Sequence, residues 1–271
     1  MTIKVRYLSE DEIEKEADLL LAEYAETTGA SIKLPVPVDE ITTYHLALRL
    51  GFADLHETLH IPMLRDRPDI LGAIFVEKEL VLIDHHLDPK GDPYKVGRYH
   101  FTIAHEIGHW RLHGSYLAQN PNQTSRFDAL SEPTVVCRSS QEFERIEWQA
   151  DNFASCLLMP RRHVLDVWND CLNDRIRTRS ALLTALPNGM IVKHSQAMVY
   201  AQKKEFELNC HHDAVCAQVS QPIAERFGVS VQAMRIRLEK LGLLPRLHQE
   251  SAAQNTATLR VGIWPFFLRR M

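Results

Sequence analysis

The 271-residue chain lacks any apolar run approaching the roughly 20 residues that a membrane-spanning helix requires. It also lacks an excess of one charge. Its 31 Lys+Arg against 35 Asp+Glu give a formal net charge of −4, which argues against a strongly basic nucleic-acid binder. Paired cysteine motifs are missing: Cys137, Cys156, Cys171, Cys210 and Cys216 are odd in number and irregularly spaced. The opening MTIKVRYLSEDEIEKEADLLL turns acidic early and fits no secretory signal, so reduced thiols in a cytoplasmic protein are expected. Internal repeats and low-complexity stretches are missing as well. With 45% hydrophobic residues the chain can bury a real core, which excludes a mainly disordered state. What it has in plenty is histidine, 14 residues of a type that commonly binds metals.

Residues 3–7 (IKVRY) alternate as a short strand does. Ser9 followed by Glu12 is a capping-box pattern, opening an amphipathic helix to about Tyr24. After an extended stretch over residues 34–38, Asp39 reads as the cap of a second helix through Leu50. AIFVE (73–77) and LVLID (80–84), separated by Lys78 and Glu79, read as a β-hairpin, with a loop over 86–98. A helix is predicted from Tyr99 to Gly114, then a long polar loop over 115–140, then a second helix stopped by Pro160. The remainder is expected to be mainly helical with a break at Pro187-Asn188-Gly189, and the tail ending WPFFLRRM is too short to span a bilayer.

His105-Glu106-Ile107-Gly108-His109 is an HExxH sequence on a predicted helix. Four residues advance a helix by slightly more than one turn. Both imidazoles therefore leave one face, about 6 Å apart along the axis, and can bind one zinc ion together. Glu106 sits beside that face as the general base. The plainer reading is two histidines satisfied on a half-buried helix. The apolar remainder of the helix (Phe101, Ile103, Ala104, Ile107) and its place after a hairpin favour the metal.

A catalytic zinc site takes three protein ligands. The metzincin continuation fails, because Leu112 and Ser115 stand where its glycine and third histidine belong. A carboxylate from the next helix is the other solution, and Glu142, Glu144, Glu147 and Asp151 all lie in the right region. Glu147 and Asp151 are four residues apart and face one side, which suits one ligand plus one acceptor for a ligand histidine's free N–H. Spacing alone does not choose among the glutamates. His113, one turn beyond His109, falls at the far end of the stripe and reads as a supporting or exposed residue. Tyr99, His100 and Tyr116 lie near enough in sequence to polarise a carbonyl, but each reads as structural. Cys210 and Cys216 flank His211 and His212 without the paired CxxC spacing of a structural zinc site.

FTIAHEIGHWRLH followed by EWQADNFASCLLMP resembles the ImmA/IrrE family of bacterial and phage metallopeptidases, whose pattern is an FTxAHExxH helix and then E-x-x-A-[ND]-x-F-A-x-x-L-L-M-P. Ala150, Asp151, Phe153, Ala154, Leu157, Leu158, Met159 and Pro160 fall on that pattern. The resemblance covers about residues 5–165 and implies Glu147 as the third metal ligand. The implied fold is α+β: a zincin-like metallopeptidase core, with a small twisted sheet packed on the HExxH helix and the Glu147 helix, then a mainly helical C-terminal part. Three regions are expected, a peptidase domain over 1–170, a helical region over 171–245 and a tail over 246–271.

The implied function is a zinc-dependent endopeptidase of the cytoplasm, with Mn²⁺ or Fe²⁺ also suited to a His₂Glu site. Glu106 would take a proton from water made acidic by the ion and pass it to the leaving amine. Substrate would lie extended along an edge strand, supplied by residues 80–84 or 73–77. By resemblance that substrate is a transcriptional repressor or antitoxin-like regulator, whose cleavage relieves repression of a mobile element or stress response.

Residues 221–244 (QPIAERFGVSVQAMRIRLEKLGLL) look like a helix–turn–helix, with Ala224, Gly228 and Met234 at its small, turn and apolar positions. Arg235, Arg237 and Lys240 would decorate its second helix, which makes a DNA-binding regulator the rival reading. Arg237 stands where such a unit wants an apolar residue, so a packing role is favoured. A third reading is a toxin–antitoxin interaction module that no longer cuts. The intact Glu106 argues against it.

Overall fold

The computed structural model describes residues 5–63, 70–119, 135–138, 145–171 and 205–244. Helix α1 (Glu10–Thr28) starts where Ser9 and Glu12 close the expected capping box: the Glu12 N–H donates to Ser9 Oγ at 3.3 Å and the Ser9 N–H to Glu12 Oε2 at 2.8 Å. It ends at Gly29, whose φ of 66° is the left-handed conformation that releases a helix C-terminus. Ile13, Ala17, Leu20, Leu21 and Tyr24 are buried along one stripe, the spacing of a helix packed by one face. The strand expected over 3–7 does not form in its described part, residues 5–7, which have no regular secondary structure.

The second helix expected through Leu50 is corrected. Only α2 (Val38–Glu40) is α-helical, the next turn widens to a π-helix over Ile41–His45, and Ala47 then takes a φ of 55°. That residue turns the chain into a strand, β1 (Arg49–Ala53), which runs parallel to a later one. A short helix α3 (Leu55–Thr58) follows, capped by Asp54.

The hairpin forms as expected: β2 (Ile70–Phe75) and β3 (Leu80–Asp84) pair antiparallel, with Ala73 opposite Leu82. A 3₁₀ turn over Val76–Lys78 and Glu79 at φ 49° join them. Among the described residues the sheet has four strands in the order β1-β3-β2-β4, β4 being Val135–Arg138 within the span expected as loop. Both hairpin strands are therefore central, and the edges belong to β1 and β4. The expectation that residues 73–77 or 80–84 form an edge is overturned, because each already has a partner on both sides. The burial of all six residues of β2 fits this central place.

Helix α4 (Val96–Gln119) carries the HExxH sequence and runs through Gly114 rather than stopping there. Helix α5 (Arg145–Leu158) packs against it and ends before Pro160, whose ring disfavours continuation. They approach closely at Gly108, where a β-carbon would stand 3.1 Å from both Cα and O of Ala150. Arg111 ties α4 to α1, donating from Nη2 to Glu23 at 2.6 Å and from Nε to Glu16 at 3.4 Å. Glu142, Glu144 and the break near Pro187 lie outside the described residues.

The chain divides into two compact units, one of Met1–Pro160 with Phe227–Val229 and one of Arg161–Arg226 with Ser230–Met271. The first is the α+β unit just described. The described part of the second is helical, with α6 (Arg161–Cys171), most of α7 (Glu205–Phe227) and α8 (Val231–Lys240). Ser230 caps α8 by accepting from the Ala233 N–H at 3.1 Å. Among the described residues no helix is long and apolar enough to cross a membrane.

Candidate metal centre

Successive residues on a helix point about 100° apart, and α4 uses this to send neighbours in its motif to different places. His105 and His109, one turn apart, face α5. Glu106 faces the sheet at Gly72. Glu147, in the first turn of α5, completes the group: its Oε2 is 3.2 Å from His105 Nε2 and its Oε1 3.4 Å from His109 Nε2. Asp151, one turn further, places Oδ1 2.9 Å from His105 Nδ1. The structure thus brings together all five residues singled out from the sequence, with His105, His109 and Glu106 buried and Glu147 and Asp151 partly open.

The proton positions follow from the partners. Ionised Asp151 only accepts, so His105 donates through Nδ1–H and leaves a lone pair on Nε2. On the second histidine, Nδ1 is 3.3 Å from His113 Nδ1, and His113 Nε2 is 2.8 Å from Gln149 Oε1. Two nitrogen lone pairs and a carboxylate then converge, with the two Nε2 atoms 2.9 Å apart. Such an arrangement is repulsive by itself and is what a divalent cation resolves, so the donor set fits a metal ion. One ligand atom from each of His105, His109 and Glu147 lies within 4.8 Å of the others.

The electrostatics follow from burial and mutual contact. Burial alone would raise the Glu147 carboxyl, but His109 and His105 outweigh it and hold the group well below the usual carboxylate range. Burial pushes His109 down and His113 down to about 3, so both rings are neutral near pH 7. Glu106 is different. Its two carboxylate oxygens are buried and have no hydrogen-bond partner among the described residues, and burial pushes its pKa up to about 8 against the pull of His105. A buried carboxyl without a protein partner can exchange a proton with whatever enters beside it.

Gly72 creates the room for that side chain. A β-carbon there would stand 2.5 Å from Glu106 Oε1 and 2.7 Å from Thr102 Cγ2. Sequence reasoning missed Gly72, and it missed Gln149. His113 was in view, but its burial between His109 and Gln149 was not. Tyr99 is buried, stacked on Phe52 with ring centroids 5.6 Å apart, and burial beside Asp39 holds its phenol protonated. A second group, Asp84, His85 and His86, has suitable donor types, but the Asp84 carboxylate already accepts from His86 and from the Leu55 N–H.

No curated protein matches the chain. A solved structure described as a Mycobacterium tuberculosis transcriptional regulator aligns with 14% sequence identity and a TM-score of 0.37, covering 88% of this chain and 53% of that one. The chain thus spans about half the length of that protein. Residues 92–179, which hold α4, α5 and every member of the His105, His109 and Glu147 group, match the family model of the IrrE N-terminal-like domain, Peptidase M78, and this match supports an ImmA/IrrE assignment for that segment.

Proposed function

We propose that the chain is a zinc-dependent endopeptidase with a zincin-like core, in which His105, His109 and Glu147 hold the ion and Glu106 is the catalytic acid–base. The observation that carries this reading is the pairing of three convergent donor atoms, two of them on α4, with the buried Glu106 carboxyl of that helix, which has no hydrogen-bond partner among the described residues. A metal held there would act as Lewis acid toward a peptide carbonyl and make water acidic enough to react near neutral pH. Glu106 would take up the proton released by water there and return it to the departing amine, a role for which a pKa near neutrality is suited. Asp151 holds the His105 ring by its Nδ1–H, which would leave Nε2 available as a ligand. Zn²⁺ fits the His₂Glu donor set, as Mn²⁺ or Fe²⁺ also would. Substrate, lying extended, would add to one of the edges β1 or β4.

The proposed substrate is a repressor or antitoxin-like regulatory protein, cut in the cytoplasm by a peptidase domain over residues 1–170. The helical region over 171–245 and the tail over 246–271 would accompany that domain. The DNA-binding alternative rests on residues 221–244, and two observations weigh against it. Arg237 is buried, at 3% exposure, and Arg235 is held by Glu239 at 2.8 Å. Side chains so engaged are poorly placed for phosphates or base edges, which supports a packing role for α8.

The test compares new protein N-termini in host cells expressing the wild-type chain or Glu106→Gln. A new N-terminus present only with wild type is the expected result and identifies the substrate. Identical sets of N-termini, with both proteins expressed and metal-loaded, would overturn the peptidase reading. Salt-dependent duplex binding lost in Arg235→Ala/Arg237→Ala would favour the DNA reading instead.

A further inference from the structure

His105 and His109 stand one turn apart on the same helix, yet they are supported in unlike ways. The Nδ1 of His105 meets a carboxylate, Asp151, whereas the Nδ1 of His109 meets another imidazole, His113. An imidazole next to a histidine is ambiguous, because either ring can be the donor. The ambiguity is removed two contacts away. The Gln149 side-chain amide donates from Nε2 to the backbone carbonyl of Arg6 at 2.9 Å, which fixes its Oε1 toward His113. Oε1 can only accept, so the His113 Nε2, 2.8 Å away, must carry the proton. The neutral ring then has a lone pair on Nδ1, and the His109 Nδ1–H must donate to it across 3.3 Å. His109 Nε2 is left as a lone pair facing Glu147 and His105 Nε2.

We propose that His113 and Gln149 are positioning residues for the metal centre, which set the tautomer of His109 through a directed chain anchored on the Arg6 carbonyl. All three side chains are buried, so water does not substitute for a link. The anchor is itself held. Arg145 Nη1 donates to the Val5 carbonyl at 3.3 Å, and the Tyr7 ring stacks on Trp148 with centroids 6.2 Å apart. Both of these partners lie on α5, the helix that supplies Glu147 and Gln149. Residues 5–7, far from the HExxH helix in sequence, thereby become part of what makes His109 a ligand. A carbonyl at position 6 has no side-chain signature, so this link is not legible in the sequence.

The inference rests on the metal-site reading, but its first measurement needs no metal. In the full-length, metal-free chain at neutral pH, ¹⁵N-labelled histidine NMR reports which ring nitrogen holds the proton. His113 is expected as the Nε2–H tautomer with its Nδ1 accepting from the His109 Nδ1–H, and finding His113 protonated on Nδ1 overturns the proposal. Zinc affinity, read by competition with a chelator, is the second measurement. His113→Phe keeps a ring but no acceptor, and is expected to mix the His109 tautomers and to weaken zinc binding about tenfold to a hundredfold. Gln149→Met, which leaves His113 in place without its acceptor, is expected to move the His109 signals the same way by a smaller amount. A folded His113→Phe chain with unchanged His109 signals, or with zinc affinity within twofold of wild type, overturns the proposal. A wild-type chain that shows the expected tautomers but binds no zinc would instead overturn the metal-site reading.

Discussion

The backbone of Gly72 in β2 lies so close to Glu106 in α4 that no β-carbon fits between them: one built there would be 2.5 Å from Oε1. The central strand of the sheet and the motif helix are thus joined at the carboxyl proposed to move protons. Gly72→Ala is expected to push Glu106 away and to cost about 1–3 kcal/mol of stability, the usual range for overpacking a tight core. Zinc affinity should stay within a few-fold of wild type, since the nearest neighbours of that β-carbon are Glu106 and Thr102 and none of the three ligand residues, while peptide cleavage is lost. Thermal unfolding, a zinc titration and the N-terminal comparison test the three parts together. Unchanged stability with full cleavage would refute the close fit.

Asp151 offers a charged acceptor to His105 at 2.9 Å, while His109 is supported by a neutral ring. Charge-assisted bonds are roughly twice as strong as neutral ones, so this contact matters for how basic Nε2 of His105 is. Asp151→Asn keeps an oxygen but removes the charge, and is expected to weaken zinc binding about tenfold to a hundredfold. Chelator competition on the purified chain measures it. An affinity equal to wild type would show that the carboxylate contributes only to packing.

The ligands and their carboxylate neighbour were legible in the sequence because helical spacing is local: residues one turn apart share a face wherever the helix is placed. His105 with His109, and Glu147 with Asp151, needed only that rule, although the choice of Glu147 required the family pattern. Gly72 was not legible, since its contact with Glu106 arises only when strand and helix pack. Strand β1 was hidden for another reason. A helical turn does form around Asp39, but it follows Pro37 and holds that residue inside it rather than as its cap, and nothing in the sequence announces that it widens at Ile41 and is broken by Ala47 at φ 55°. The edge strands were misplaced as a consequence, because the hairpin was visible and its flanking partners were not.

Gly108 has a similar origin. It is one of the variable positions of HExxH, yet a β-carbon there would meet Ala150 Cα and O at 3.1 Å and Phe153 Cβ at 3.3 Å. Alanine favours a helix interior by about 1 kcal/mol over glycine, so on propensity alone Gly108→Ala would stabilise α4. The opposing contact is with backbone, which cannot rotate away, and the two helices must separate by a few tenths of an ångström. Because the metal donors are split between those helices, the expected outcome is weaker zinc binding with stability unchanged or reduced. A variant both more stable and equally tight for zinc would show that the interface gives way without moving Glu147.

The metal-free chain should also show a stability maximum near pH 6.5, because the buried groups of the site pull in opposite directions. His113, held down at about 3, stays neutral in the folded chain while its unfolded counterpart takes up a proton below about 6.5. The unfolded state then binds more protons, so stability falls as pH drops from 6.5, by up to about 1.4 kcal/mol per pH unit for one group. His109, lowered by the same burial, adds to that loss. Glu106 acts in reverse. With its folded value raised to about 8, it keeps a proton that the unfolded carboxyl has released, so stability declines as pH rises from the ordinary carboxyl range toward 8. Below 6.5 His109 adds its loss to that of His113, against the one carboxyl. Between 6.5 and 8 the raised carboxyl works against stability. Urea unfolding of the metal-free wild type is therefore expected to weaken on both sides of pH 6.5, and Glu106→Gln is expected to flatten the upper limb while leaving the lower one in place. An upper limb of equal slope in both proteins would mean that Glu106 is not held protonated by its burial against Gly72.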